Sequence, residues 1–413
     1  MCPVDSLDVN KQRMREDISV SGPLVGVRVI DFSGYMQGPW ATQLLGDMGA
    51  DVVKIERPGV GDWERSFSMA DHFINGQSAC FLAMNRNKRS IALDLKNPRG
   101  RDIALRLIGK GDVVVENSRP GVMDRLGLGY EHARGVNPRI IYCSASGYGS
   151  TGPYRERPGQ DLLVQGLAGI ASMTGRRSDP PTPSGMPIAD QHGARLVAFG
   201  VAAALFERER TGCGQYLEVD LLSAVIDAEC QEVVTYLNGG GEPERSANGL
   251  AHAYLGAPYG IYATKDGYLT LAMTPLDKLS QVLDIPNLQG FGGQSQVLAH
   301  RDDVQAAIQA VLETRTTDEW LTTFGAADIW CGPVQTLAEA VRDPQVRHNE
   351  MIATIEHPTA GTIQVTGIPI RFSRTPGAIR MPPPLLGEHT DEILQDLGCT
   401  EDDIKHLRSA NAI

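Results

Sequence analysis

The run Gly26-Val27-Arg28-Val29-Ile30-Asp31-Phe32 leads into a loop over residues 34–39. A segment with helical spacing follows over 40–48 and closes at Gly49, and then comes Asp51-Val52-Val53-Lys54-Ile55-Glu56. The two β-branched runs read as strands, and the stretch between them as a helix stopped by glycine. Strand, helix and strand in so short a span make a βαβ unit. The two strands must then be parallel, and the loop after the first falls at the edge where open parallel sheets hold ligands. The alternation continues with strands over 90–95, 112–116 and 139–144, and a helix over 98–108 capped by Asn97. This predicts an α/β fold with a Rossmann-like, mostly parallel sheet.

Helices are predicted over 161–173 and 188–210, a strand over 216–220 and a helix over 223–237. Gly239-Gly240-Gly241 with Pro243 then marks a boundary. Beyond it, two strand-like runs flank Lys265-Asp266-Gly267, a hairpin signature. Short helices follow over 276–283, 303–313 and 317–324. Strand-like segments follow over 351–354 and 361–372, and a proline-rich crossing leads to a terminal helix pair. The expected division is an N-terminal arm over 1–22, a large α/β domain over 23–225, a smaller α+β domain over 226–330, and a return segment over 331–413 that completes the large domain.

Bulk properties narrow the function. The 413 residues exceed one small core. A net charge of −12 argues against a generic nucleic-acid or membrane-surface binder. No apolar run is long enough for a membrane span. The first 21 residues are polar and mixed in charge, unlike a signal peptide. Seven scattered cysteines, with no C-x-x-C pair, fit a reduced, cytoplasmic protein better than a disulfide framework or zinc site. Gly147-Tyr148-Gly149-Ser150-Thr151-Gly152 matches G-x-G-x-x-G literally. Prolines and charges follow it where a dinucleotide site needs a helix, so a nicotinamide or flavin site is not expected.

One acid stands out. Asp161 follows Arg157-Pro158-Gly159-Gln160 and opens an apolar, small-residue helix. A helix N-terminus carries free N–H donors and the positive end of the dipole. A carboxylate there is either a cap or a positioned nucleophile, and the segment alone leaves both open.

Several strings in order resemble the class III CoA-transferases, the family of formyl-CoA transferase and the carnitine CoA-transferases. They are Gln37-Gly38-Pro39, the run Gly49–Gly59 with Arg57, Asn85-Arg86-Asn87-Lys88-Arg89-Ser90, Val115-Glu116-Asn117-Ser118-Arg119-Pro120-Gly121 with Arg125, Ser146-Gly147-Tyr148-Gly149, and Asp161. Cys331-Gly332-Pro333-Val334 and Pro384–Thr390 complete the set. The resemblance implies that the large domain binds CoA and that the enzyme moves CoA from an acyl-CoA donor to a carboxylic acid. Asp161 would be the nucleophile and Gln37 a donor to developing negative oxygen. Gln37, Gly38, Asn87, Lys88, Asn117, Ser146, Gly147, Tyr148 and Gly149 would line the CoA groove, and Arg57 and Arg125 would contact phosphate or adenosine. Lys88 and Arg89 are not separable at this stage. The resemblance implies no metal and no tightly bound cofactor, with acyl-CoA and an acid as substrates. It also implies an intertwined homodimer.

Two departures bear on the acid. Residues 246–252 lack the glycine run of the family's oxalate enzyme, and Ser146 stands where that enzyme has lysine. A larger acid is therefore expected, with Arg155, Arg157, Arg176, Arg177 and Arg245 available as carboxylate partners. The nearest alternative is an α-methylacyl-CoA racemase, which shares the fold and moves a proton at the α-carbon; that branch shows Gly-His-Asp where this chain has Gly159-Gln160-Asp161. A non-catalytic CoA-binding protein is the alternative from another class.

Overall fold

The computed structural model describes residues 21–291 and 293–413, so nearly all of the expected arm over 1–22 lies outside the described residues. Six strands form one sheet: β1 (Arg28–Asp31), β2 (Asp51–Glu56), β3 (Lys88–Ala92), β4 (Val113–Glu116), β5 (Ile141–Ser146) and β6 (Gln215–Asp220). Their spatial order is β3-β2-β1-β4-β5-β6, and every neighbouring pair is parallel. The order reverses between β1 and β4, which makes the loops after those two strands the ligand crevice of a doubly wound sheet.

Period-2 alternation gives the sheet two apolar faces. Ile30, Val53, Ile91 and Val114 share one core with Ile103 and Leu107 of helix Pro98–Lys110. Ile393, Leu394, Ile404 and Leu407 of the terminal helices Thr390–Asp396 and Glu401–Ser409 join that core. Val29, Val52, Val113 and Ile141 share the other core with α1 (Gln37–Asp47) and the long helix Ile188–Thr211. Expected and observed elements differ where backbone chemistry overrides pattern. Helix α1 begins at Gln37 instead of residue 40, because Pro39 falls in the first turn, where an N–H is not needed. The helix expected over 161–173 breaks at Gly169, whose φ is 110°.

Contacts divide the chain into two units. Of the described residues, one unit comprises those up to 161 with 188–224 and 344–413; the other comprises 162–187 and those between 225 and 343. The small unit thus gains residues 162–187, and it runs past the expected limit of 330. Cys331–Pro333 is a strand of its own sheet, antiparallel to Tyr268–Leu271, which pairs in turn with Gly260–Ala263. No helix among the described residues is long and apolar enough to cross a membrane.

Beneath the carboxyl edge of β1 lies a buried ionic network. Asp31 accepts from Thr42 Oγ1 at 2.7 Å, from Ser33 N at 2.9 Å and from Lys88 Nζ at 3.1 Å. Lys88 Nζ also donates to Pro39 O and Asn85 Oδ1, both at 2.8 Å. Lys54 Nζ donates to Ser33 O at 2.8 Å and pairs with Asp62 at 2.9 Å. Burial opposes ionisation of Asp31, but Lys88 and Lys54 outweigh it and hold the carboxyl at about 2. Since 2 lies below the ordinary value, the pairing stabilises the fold at neutral pH. That contribution is lost as pH falls from about 4 towards 2.

This network corrects two groove assignments. Lys88 and Asn87 are fully buried. Asn87 Nδ2 donates to Asp47 Oδ1 and Ala378 O at 2.8 Å, and its Oδ1 accepts from Arg380 N at 2.7 Å. Both side chains are consumed in holding the sheet edge and have no face left for a ligand. Lys88→Met should lower unfolding free energy by about 3–5 kcal/mol in denaturant titration, because it strands a buried carboxylate. A variant of wild-type stability that had lost CoA binding would return Lys88 to the groove.

Candidate active site

The carboxyl edge of the sheet gathers most of the expected residues. Asn117, just past β4, bonds the loop after β1 twice: its Oδ1 accepts from Gly34 N at 2.9 Å and its Nδ2 donates to Gly34 O at 2.6 Å. This pair staples the two loops at the topological switch point. Gly38, one residue into α1, packs so closely that a Cβ there would sit 2.2 Å from Ser33 Cβ. Its role is therefore to let α1 start against the loop. Arg57, just after β2, and Arg125 are exposed on the same edge. Neither has a side-chain hydrogen bond or ion pair among the described residues.

Gly147, following β5, touches the chain just before Asp161. A Cβ on Gly147 would lie 2.4 Å from Gly159 Cα, and the reverse holds for Gly159. Two glycines are needed because two backbones meet there. Ser146 Oγ accepts from Gly149 N at 2.9 Å and tightens this turn, while Tyr148 packs edge-on to Tyr154. The literal G-x-G-x-x-G thus forms a turn that supports Asp161, and no helix follows it.

Asp161 is the first residue of helix Asp161–Ala168, and it is mostly buried. Its carboxylate does more than begin its own helix. Oδ1 accepts from Ala189 N at 2.7 Å and from Asp190 N at 3.4 Å. These are N-terminal N–H groups of helix Ile188–Thr211, which its own backbone cannot satisfy. The acid therefore caps a second helix, which the sequence reading did not foresee.

The Gln37 side chain, from the start of α1, meets that same helix end. A Cβ at Gly193 would fall 2.6 Å from Gln37 Nε2, so the glycine makes room for the amide. Residues 189, 190 and 193 share one helix face within a turn, about 5.4 Å of rise. The Asp161 carboxylate and the Gln37 amide thus sit over adjacent positions of one helix. Gln37 Nε2 is buried with no hydrogen-bond partner among the described residues. A buried amide donor without a partner is costly unless a ligand oxygen meets it.

Two further acids complete the cluster. Burial, with Asp161 adding to it, pushes Asp190 up to about 7. Burial and then the neighbouring Asp62 push Glu64 up to about 8, and Asp190 contributes as well. Glu64 Oε2 has no partner among the described residues. The site therefore combines one held carboxylate with two carboxyls able to stay protonated near neutrality. The sequence signal for Asp190 was its place in the first turn of the long predicted helix. Lys96 is an exposed cation beyond β3, and Tyr35, Trp63 and Phe67 form an exposed stack after β1 and β2, with the Trp63 and Phe67 ring centroids 4.4 Å apart.

The arginines expected near the acid are mostly committed. Arg245 donates to the carbonyls of Thr174, Asp179 and Pro180. Arg177 bonds Arg245 O and pairs with Asp302. Arg157 lies over Tyr154 and Arg155 pairs with Glu156. Arg176 is exposed and has no side-chain partner among the described residues.

The model of CoA-transferase family III matches residues 24–390. The chain belongs to this family. As a family III CoA-transferase it acts on acyl-CoA and carboxylic acid substrates. It is 37% identical over 392 residues to the mouse (Mus musculus) succinyl-CoA:glutarate CoA-transferase, covering 93% of this chain and 88% of that protein. It is 33% identical over 427 residues to a formyl-CoA:oxalate CoA-transferase of Rhodopseudomonas palustris, covering 94% and 97%. The crystal structure of a CAIB/BAIF family protein from Brucella suis superposes with a TM-score of 0.80 at 33% identity, over 91% of this chain and all of that one.

The transferase should lose kcat/KM as pH rises through about 7, because ionised Asp190 sets a second negative charge beside Asp161. Asp190→Asn keeps a neutral donor there and should flatten the profile between pH 6 and 8. An unchanged descending limb in that variant would remove Asp190 from the site.

Proposed function

We propose that this transferase moves CoA to a C4–C5 dicarboxylate through covalent intermediates on Asp161. The observation that carries the covalent role is the hold on Asp161 Oδ1 by the Ala189 and Asp190 amides, one turn from the unpartnered Gln37 amide. The Asp161 carboxylate attacks the thioester carbonyl of the donor acyl-CoA. A C–O bond forms, the C–S bond breaks, and the sulfur leaves with its electron pair as CoA thiolate, giving an aspartyl-acyl anhydride. The thiolate then attacks the aspartyl carbonyl. The donor acid leaves as carboxylate, and an aspartyl-CoA thioester remains. The acceptor carboxylate repeats the sequence in reverse through a second anhydride. Every step passes through a tetrahedral centre bearing negative oxygen. One preorganised donor such as Gln37 contributes about 10²–10³ in rate at such a centre. The reaction consumes no net proton, so neutral Asp190 and Glu64 serve by not adding charge.

The choice of acid rests on two points. The relative at 37% identity is named for succinyl-CoA and glutarate. The stretch Gly249-Leu250-Ala251-His252 also carries side chains where oxalate recognition uses bare glycine backbone. The oxalate relative, at 33% identity, defines the competing outcome.

Asp161→Ala should abolish transfer while leaving CoA affinity within a few-fold of wild type, since the cations and loops that hold CoA lie elsewhere. Wild type incubated with succinyl-CoA and then hydroxylamine should yield an aspartyl hydroxamate at Asp161, read by peptide mass spectrometry. Substantial transfer by the alanine variant would defeat the covalent role.

Acceptor efficiencies with succinyl-CoA as donor test the acid. Glutarate, malate, itaconate and mesaconate should each exceed oxalate in kcat/KM. Highest efficiency with oxalate would overturn the size argument without touching the role of Asp161.

A further inference from the structure

The turn that follows β2 carries a buried acid with a free end. Glu64 lies in the short helical turn Trp63–Arg65 and is 5% exposed. That turn is anchored on both sides of it. Asp62 Oδ1 accepts from Glu64 N and from Tyr35 N, both at 3.2 Å, and Asp62 Oδ2 pairs with Lys54 Nζ at 2.9 Å. Glu56 Oε2 accepts from Asp62 N at 3.0 Å, and Arg65 forks onto both Glu56 oxygens at 2.7 Å. The Glu64 backbone is thus tied to the loop after β1, which leads into Gln37. Its side chain takes no part in this anchoring, and Oε2 is buried with no hydrogen-bond partner among the described residues.

The carboxyl stands within reach of charges from three other elements: Lys54 on β2, Lys88 on β3, and Asp190 on helix Ile188–Thr211. The last is the helix whose N–H groups hold Asp161 and whose Gly193 makes room for the Gln37 amide. Glu64 Oε2 and Gln37 Nε2 are therefore two buried polar ends without partners at one edge of the sheet. Leaving both unmet is costly, and one ligand oxygen can meet both. We propose that Glu64, in its carboxylic acid form, is a catalytic residue that donates a hydrogen bond, together with the Gln37 amide, to the acyl oxygen during transfer. This rests on the proposed acyl transfer to Asp161. An O–H donor to an anionic oxygen makes one of the strong hydrogen bonds, so its hold tightens as the tetrahedral centre forms. The proton stays on Glu64 throughout, and the bonds made and broken in the transfer are unchanged.

The donor exists only while the carboxyl keeps its proton. Burial, then the charge of Asp62, pushes Glu64 up to about 8; Lys54 and Lys88 oppose the rise and Asp190 adds to it. Below that pH the acid donates. Above it the carboxylate only accepts, and it sets a charge against the developing oxyanion. The protonated fraction falls about tenfold between pH 7 and pH 9, and the Glu64 contribution to kcat should fall with it.

The test is steady-state transfer from succinyl-CoA to the best acceptor of the comparison above, by wild type, Glu64→Gln and Glu64→Leu, from pH 6 to pH 9. At pH 7 the leucine variant should lose about 10²–10³ in kcat with KM little changed, as expected for a bond made in the transition state. The glutamine variant keeps a neutral donor and should retain most of the wild-type kcat. The ratio of wild-type to glutamine kcat should fall about tenfold between pH 7 and pH 9, and Asp190, common to both enzymes, cancels from it. That ratio decides the matter alone if the leucine variant does not fold. Wild-type kcat in the leucine variant, a glutamine variant as slow as the leucine one, or a ratio that does not change with pH would each overturn the proposal. Hydroxylamine trapping separates it from the reading it rests on. No hydroxamate on wild type removes the covalent role of Asp161, whereas hydroxamate formed by Glu64→Leu at the wild-type rate removes Glu64 alone.

Discussion

Asp31 ends the first strand with a fully buried carboxylate, and the geometry of the candidate site hangs from it. Its oxygens hold Ser33, Thr42 and Lys88, and so fix the loop after β1 and the first turns of α1 together. The attraction of Lys88 and Lys54 exceeds the desolvation of Asp31, although desolvation offsets much of it. The network also fixes position. With the loop held from below by Asp31 and Lys54, and from the side by Asn117, α1 begins at Gln37, and its side-chain amide has one place to go.

That place is over Gly193, on the helix whose free N–H groups hold Asp161. The arrangement uses the end of one long helix twice, as donor to the carboxylate and as a floor for the amide. Preorganised donors of this kind need no rearrangement as charge develops, which is where electrostatic catalysis gains its advantage. The surrounding acids are compatible with this only when protonated. Burial of Asp190 and Glu64 provides that near neutrality, so a crowd of carboxyl groups need not become a crowd of charges.

Much of this could be read from the chain. The β-branched runs at residues 27–32 and 51–56 and the helical spacing between them settled the parallel sheet, since period-2 and 3.6-residue patterns are local. Asp161, Gln37, Asn117 and the Gly147 turn are marked out as candidates by ordered short strings. Burial was not legible. Lys88 sits in a string shared with exposed residues, and only three-dimensional packing decides that its ammonium turns inward to Asp31. Asp190 went unnoticed because a first-turn acid is ordinary, and its meaning arises from Asp161, which is 29 residues earlier in sequence. The boundary near residue 330 failed because Cys331–Pro333 is too short to show strand periodicity, and its pairing with Tyr268–Leu271 is remote in sequence.

The three-segment build of the large unit has a consequence for how the chain becomes a protein. Ile393, Leu394, Leu397, Cys399, Ile404, Leu407 and Ala412 all belong to the core that also contains Ile30 and Val53. During synthesis the sheet emerges early, yet one of its faces, packed by helix Pro98–Lys110, stays only partly covered until residues near 412 have been made. The small unit, whose core draws on residues 250–329, is complete well before that. The order of assembly therefore runs against the order of the sequence: the inserted unit can close first, and the unit that starts the chain must close last. Until then its apolar face is a surface for chaperones or for aggregation.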